Sequence, residues 1–294
     1  MRDDGRVTSS TPGPRTPALS APRLIATDLD GTLLHDDKTV SPRTVAALAA
    51  AERAGIEVFF VTGRPARWMD VVSDHVHGHG LAICGNGAAV VDLHGGPGRH
   101  RFVTIRELPV PDALDVVRIL RDAAPGTSFA VERTGGLHHE PTYPPLHLDP
   151  GESVAPAEKL LAAGPGGAGD QPVLKVLAYH PDLDPDGFLA LARTAVGDRA
   201  SLTRSSPSAL LEISGRSVSK ASTLAQCCAE RGISADEVVA FGDMPNDMEM
   251  LAWAGRSYAM GNAHPDVLTA ATGRTATNNE DGVARVIEEI LAER

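Results

Sequence analysis

Two aspartates one residue apart, followed at once by glycine and threonine, close an apolar run in Leu24-Ile25-Ala26-Thr27-Asp28-Leu29-Asp30-Gly31-Thr32. The glycine permits a sharp turn, and the threonine hydroxyl can bind an oxyanion. With no Lys or Arg among them, Asp28 and Asp30 repel each other unless a cation lies between. A hard divalent ion with oxygen ligands, Mg2+ foremost, meets that need. A second acidic group, Asp243 with Asn246 and Asp247, closes the run Val238-Val239-Ala240-Phe241, and Thr62 closes Ile56 to Val61. Lys220 opens the helix before the Asp243 run. Taken singly, Asp28 and Asp30 read as turn or capping residues, Thr62 as a strand-end cap, Lys220 as a solvated lysine, and Asp243 and Asp247 as helix caps. Only together do they point to a site.

Open parallel sheets bind ligands beyond the carboxyl ends of their strands, so the elements that carry these residues matter. Ser41-Pro42 opens a helix that Gly55 closes, and Ile56 to Val61 is a strand buried on both faces, ending in Thr62-Gly63-Arg64-Pro65. A helix from about Pro65 to His77 leads to a strand at Leu81 to Cys84 and then Gly85-Asn86-Gly87-Ala88. Val90 to Asp92 and Arg101 to Ile105 read as a hairpin. Between Glu107 and Ser214 the character changes to short strands, two helices and a Gly-rich loop at Gly164 to Gly169, an interposed α+β unit. The doubly wound pattern resumes at Lys220, with strands at Val238 to Phe241, Tyr258 to Met260 and Thr275 to Thr277, and a last helix from Gly282. The fold class is α/β, a Rossmann-like parallel-sheet core with an inserted α+β domain. Residues 1–20 read as a disordered tail, 21–106 and 214–294 as the core, and 107–213 as the insertion.

Composition bounds the partners. The 294 residues carry a net charge of -11, which argues against a nucleic-acid surface, since phosphate backbones are gripped by Lys and Arg clusters. No run approaches the roughly 18 apolar residues of a membrane span, and the first 20 residues lack the apolar segment of a secretory signal. A cytoplasmic setting follows, in which Cys84, Cys227 and Cys228 are reduced structural thiols. His75, His77 and His79 alternate, but with no acid nearby beyond Asp74 they read as exposed loop residues.

Asp28-Leu29-Asp30-Gly31-Thr32-Leu33, Thr62, Lys220 in Val218-Ser219-Lys220, and Phe241-Gly242-Asp243 with Asn246-Asp247 resemble, in that order, the four motifs of the haloacid dehalogenase-like hydrolases. With Gly85-Asn86-Gly87-Ala88 and Asn279-Glu280-Asp281-Gly282-Val283-Ala284, the chain resembles the Cof-type phosphatases, whose large α/β cap falls between the second and third motifs. The resemblance implies a phosphoric monoester hydrolase acting on small phosphorylated metabolites. Asp28 would be the nucleophile that becomes an aspartyl-phosphate, and Asp30 the general acid and base, with a pKa raised by a crowded position. Asp28, Asp30 through its carbonyl, and Asp243 would hold Mg2+, with Asp247 orienting Lys220 or a metal-bound water. Thr62, Lys220 and Asn246 would bind the phosphoryl group, joined by Gly63, Asn86 and Arg64, the last equally placed to pack across Pro65. Arg133, His138, His139, Glu140 and Tyr143 form either a polar cluster for the leaving group or an exposed hairpin surface. A phosphomutase or phosphotransferase using the same intermediate, and an idle binding protein on this fold, are the alternatives.

Overall fold

The computed structural model describes residues 21–73, 80–146, 153–162 and 170–294. The N-terminal tail, His75, His77, His79 and the Gly164 to Gly169 loop lie outside the described residues. The first part of the chain forms β1 (Leu24–Thr27), α1 (Pro42–Arg53), β2 (Glu57–Val61), α2 (Asp70–Ser73), β3 (Leu81–Cys84), β4 (Ala89–Asp92) and β5 (Arg101–Ile105). The middle forms α3 (Val110–Ala123), β6 (Ser128–Arg133), β7 (Gly136–His139), α4 (Ala157–Leu161), β8 (Val173–Tyr179), α5 (Pro185–Val196), β9 (Ser201–Thr203) and β10 (Leu210–Ser214). The chain then adds α6 (Lys220–Glu230), β11 (Val238–Gly242), α7 (Met248–Trp253), β12 (Arg256–Ala259), α8 (Pro265–Ala270), β13 (Gly273–Arg274) and α9 (Gly282–Ala292).

An eight-stranded sheet in the order β13-β12-β11-β1-β2-β3-β4-β5 unites both ends of the chain. Its strands from β13 to β3 run parallel, and β4 and β5 add an antiparallel edge. Leu24, Ile25, Phe59, Phe60, Val239 and Phe241 are buried because helices cover both faces. The chain winds outward in opposite directions from β1, so the switch point lies between β1 and β11, where such sheets bind ligands. Helix α1 starts on the Ser41 side chain, which accepts from the Thr44 amide, with Pro42 in the first turn. Its Ala47, Leu48 and Ala51 are buried, and α1 packs along α9, whose Val283, Val286, Ile287 and Ile290 form one apolar face.

Two elements depart from the sequence reading. The helix expected from Pro65 to His77 opens with a 3-10 turn at Ala66–Trp68 before α2, and its part beyond Ser73 lies outside the described residues. The Ala66 carbonyl accepts both from the Met69 amide, at the tighter spacing, and from the His100 ring, which interrupts a regular helix. The strand expected at Thr275 to Thr277 sits earlier, at Gly273–Arg274, because the threonine hydroxyls are engaged in capping. Thr275 donates to the Gly282 carbonyl and Thr277 to Glu280.

The second sheet, β7-β6-β8-β10-β9, is antiparallel throughout. Side-chain alternation gives it two different faces. Phe129, Val131, Val176, Ala178, Leu211 and Ile213 pack against α3, α4 and α5 through residues such as Val117, Leu161 and Phe188. Helix α4 falls in a stretch whose Pro and Gly content reads as loop, and the buried Arg133 guanidinium secures it by donating to the Leu160 and Leu161 carbonyls at 2.9 and 3.4 Å. The opposite face carries Glu132, Lys175, Leu177, Leu210 and Glu212 towards the first sheet.

Lys175 and Glu212 form a buried ion pair, and the Lys175 ammonium also donates to the Gly63 carbonyl of the first sheet at 2.8 Å. Removing one partner leaves a buried charge uncompensated, which typically costs about 3–5 kcal/mol, whereas replacing both is far milder. Lys175→Met is therefore expected to lower the unfolding free energy in urea by about that amount. The double change Lys175→Met, Glu212→Leu recovers most of the loss, and equal destabilisation by the single and double changes would contradict the pairing.

Candidate active site

Three adjacent strand ends on one edge of the parallel sheet deliver polar side chains. Asp28 follows β1, Thr62 follows β2, and Asp243 follows β11, while Lys220 is the first residue of α6, capped by the reciprocal bonds of Ser219 and Ser222. Lys220 is almost fully buried and its ammonium reaches Asp28 Oδ1 at 2.8 Å and Asp247 Oδ1 at 2.7 Å. Asp247 in turn accepts the Asp243 and Met244 amides on Oδ2, both at 3.1 Å, so it holds the loop as well as the lysine. Asp28, Asp243 and Asp247 each offer a carboxylate oxygen within 4.8 Å of the others. Close approach depends on Gly31, whose φ of 75° suits glycine and where a Cβ would overlap the Asp243 carboxylate.

The cluster holds more negative charge than one lysine balances. Burial pushes the Asp28 carboxyl well above the usual range; Lys220 opposes the rise, and Asp247 and Asp243 add to it. Asp243 is raised to about 7 by burial and by Asp247, against the hydrogen bond from Thr32 Oγ1 at 2.9 Å. Burial would lower Lys220, but Asp247 and Asp28 outweigh it and keep the ammonium charged. Buried carboxylates with only oxygen donors and a surplus of charge are the ligand set of a hard divalent cation, so these residues fit Mg2+.

Asp30 differs from expectation. Its side chain is 42% exposed and lies outside the cluster, gripped by Arg64 at 2.6 and 2.7 Å and by Lys38 at 2.9 Å. Burial alone would raise its pKa, yet hydrogen bonds from Arg64 and Lys38 dominate and bring it down to about 2. Arg64 thus does more than pack across Pro65: in this arrangement its guanidinium is bound to Asp30, at the floor of the site. The Thr62 hydroxyl accepts the Arg64 amide at 3.1 Å. The backbone of Thr62 also receives Asn86, whose amide donates to the Thr62 carbonyl and whose Oδ1 accepts from Asn246 Nδ2 at 3.0 Å.

A family model described as haloacid dehalogenase-like hydrolase matches residues 25–287. The chain belongs to that family. The 5-amino-6-(5-phospho-D-ribitylamino)uracil phosphatase YitU of Bacillus subtilis is 31% identical over 279 residues, covering 92% of this chain and 98% of the relative. The pyridoxal phosphate phosphatase YbhA of Escherichia coli is 29% identical, covering 90% and 97%. A solved haloacid dehalogenase-like hydrolase from Bacillus subtilis superposes with a TM-score of 0.75 at 25% identity, over 90% of this chain and 99% of that one. This haloacid dehalogenase-like chain is thus a Cof-type phosphatase, a phosphoric monoester hydrolase acting on phosphorylated small molecules. Among the described residues no helix is long and apolar enough to cross a membrane.

In this haloacid dehalogenase-like phosphatase, a cavity of about 500 Å3 opens between the two sheets. Asp28, Asp30, Thr62, Gly63, Arg64 and Asn246 line its floor. Lys38, Arg67, Glu132, Lys175 and Glu212 also line it, and the sequence reading missed them. A charged residue inside an otherwise apolar strand, as in Val173 to Tyr179 or Leu210 to Ser214, was the available signal. The cluster proposed from Arg133, His138, His139, Glu140 and Tyr143 does not assemble. Arg133 braces α4, and Glu140 accepts the Phe129 and Ala157 amides and pairs with Arg121, so both serve the packed face, and only Tyr143 reaches the cavity. These residues are not an exposed surface either, since all five are buried. Thr32, read as an oxyanion ligand, instead holds Asp243.

Proposed function

We propose that the chain hydrolyses small phosphorylated metabolites through an aspartyl-phosphate on Asp28, with Mg2+ as cofactor. The observation that carries this reading is the meeting of Asp28, Lys220, Asp243 and Asp247 at the edge of the sheet, beneath a roofed cavity. Asp28 and Asp243 through their carboxylates, and Asp30 through its carbonyl, would hold the ion. When bound, Mg2+ supplies charge neutralisation and polarises a phosphoryl oxygen.

Lys220 and Thr62 bind the remaining phosphoryl oxygens, where transition-state charge is spread, and Asp247 keeps Lys220 aimed. An Asp28 oxygen attacks phosphorus in line as the ester oxygen leaves. Asp30 supplies the proton to that oxygen and later takes one from the attacking water. In the resting arrangement Asp30 is the conjugate base, so it must first leave Arg64 and Lys38 and take up a proton from solvent before it can act as the acid. The incoming dianion gives those cations an alternative partner. The inserted sheet excludes water from the cavity while this occurs.

Phosphate release from p-nitrophenyl phosphate and a panel of phosphorylated metabolites tests the reading. Activity is expected to disappear in EDTA and return with Mg2+. Turnover that persists in EDTA would remove the metal from the account, and no release from any ester would remove the hydrolysis.

A further inference from the structure

Two stretches outside the catalytic cluster meet at the cavity wall. The turn at residues 35–39 is closed by the His35 amide on the Thr39 carbonyl at 3.0 Å and by the Lys38 amide on the His35 carbonyl at 2.9 Å. Asp37 tightens it by accepting the Thr39 amide and hydroxyl at 3.0 and 2.7 Å. The segment Asn278 to Asp281, just before α9, grips the same turn from outside. Asn278 Nδ2 donates to the Leu34 carbonyl at 2.9 Å and to Asp36 at 3.0 Å. Asn279 both donates to Asp36 at 2.7 Å and accepts its amide at 3.0 Å, and Asp281 meets the His35 ring at 3.0 Å.

The turn so held presents Lys38 to the cavity. Lys38 has a φ of 66°, a left-handed backbone that glycine and asparagine adopt readily and lysine rarely does. The turn itself gives no reason for lysine, since the side chain leaves it, lines the cavity and donates to Asp30 Oδ1 at 2.9 Å. Asp30 does not need this cation either, because Arg64 already engages both of its oxygens, at 2.6 and 2.7 Å. The other charges of the wall are matched, Arg67 with Glu132 and Lys175 with Glu212, and Asp28 has Lys220. Among the described residues of the wall, Lys38 is therefore the surplus cation, more than half exposed and with donors to spare beyond the one Asp30 accepts.

Resting on the phosphatase reading above, we propose that Lys38 is a substrate-contacting residue and that Asn278, Asn279 and Asp281 are positioning residues that hold it at the cavity wall. Its ammonium passes from Asp30 to the phosphoester as the dianion enters, so the charge stays paired before and after binding. The contact falls on the side of the leaving oxygen, because that is the side Asp30 serves.

Steady-state release of p-nitrophenol from its phosphate tests the assignment. Asparagine and glycine both suit the backbone at this position, so Lys38→Asn and Lys38→Gly keep the turn and remove the charge. Both are expected to lower kcat/KM by about ten- to hundredfold, the scale of one hydrogen bond to a charged group. Lys38→Arg keeps a cation there and is expected to stay within about fivefold of wild type. Asn279 is exposed, and Asn279→Ala is expected to cost about three- to tenfold in the wild-type chain but less than about twofold in Lys38→Asn, since nothing then remains to be positioned. A role in the fold alone would cost the same in both backgrounds, and that result overturns the positioning role. Neutral variants as fast as wild type or faster would make Lys38 a restraint on Asp30 and overturn the contact, as would an arginine variant no better than the asparagine one. The phosphatase reading survives each of these results and falls only if the wild type releases phosphate from no ester.

Discussion

Asp28→Asn is expected to lower phosphate release by about 10^4-fold to 10^6-fold, the scale on which loss of a covalent nucleophile is felt. An amide oxygen cannot form the acyl phosphate, and the variant also loses one of the charges that Lys220 balances at 2.8 Å. The reaction should therefore fail at its first covalent step, while substrate still binds. Acid-quenched wild-type enzyme in turnover should carry a phosphate label on the peptide containing Asp28, and the variant none. A labelled variant, or one with normal turnover, would relocate the nucleophile.

Asp243→Asn is expected to cost about 10^3-fold or more in rate, several kcal/mol of barrier, because it removes a carboxylate from the proposed cation site. Its effect on stability runs the other way in the metal-free protein. Asp243 keeps its proton up to about pH 7, whereas an unfolded aspartate loses it near 3.9. Between those limits the folded state binds more protons than the unfolded state, so this group's contribution to stability is present at low pH and is lost as pH rises towards 7. In metal-free protein the Tm of Asp243→Asn relative to wild type should therefore rise between pH 5 and 7.5, by about 2–4 °C for each kcal/mol of relief. Thr32 can still donate to the asparagine oxygen, so the variant keeps that hydrogen bond. Mg2+ added at pH 7.5 should stabilise the wild type and leave the variant nearly unmoved. Equal Mg2+ stabilisation of both would detach Asp243 from the metal.

The meeting of Asp28, Lys220, Asp243 and Asp247 was legible because each is tied to a local signal, an apolar run ending in acids or a Ser-capped helix start, and parallel-sheet topology brings such ends together. What surrounds Asp30 was not. Its pairing with Arg64 and Lys38 depends on side-chain rotamers and on the turn after β1, which carry no periodic signature. The inserted sheet was readable as strands but not as faces. Arg133 and Glu132 are neighbours in sequence, yet strand alternation sends the first to brace α4 and the second to the cavity. Without the pairing partners, a polar residue in a short strand could belong to either side. Helix α4 escaped notice because five residues between Pro-rich and Gly-rich segments give too few turns for a pattern.

The chain leaves the eight-stranded sheet after β5 and rejoins it before α6, and the two passages touch: a Cβ on Gly215 would sit 2.6 Å from the Glu107 carbonyl. The strands that roof the cavity are thus entered and left through one narrow crossing, and Lys175 on Gly63 and Glu132 on Arg67 tie that roof to the floor at two further points. A change at either tie reaches the loop that follows Thr62 as well as the roof, so the two sides of the site do not vary independently.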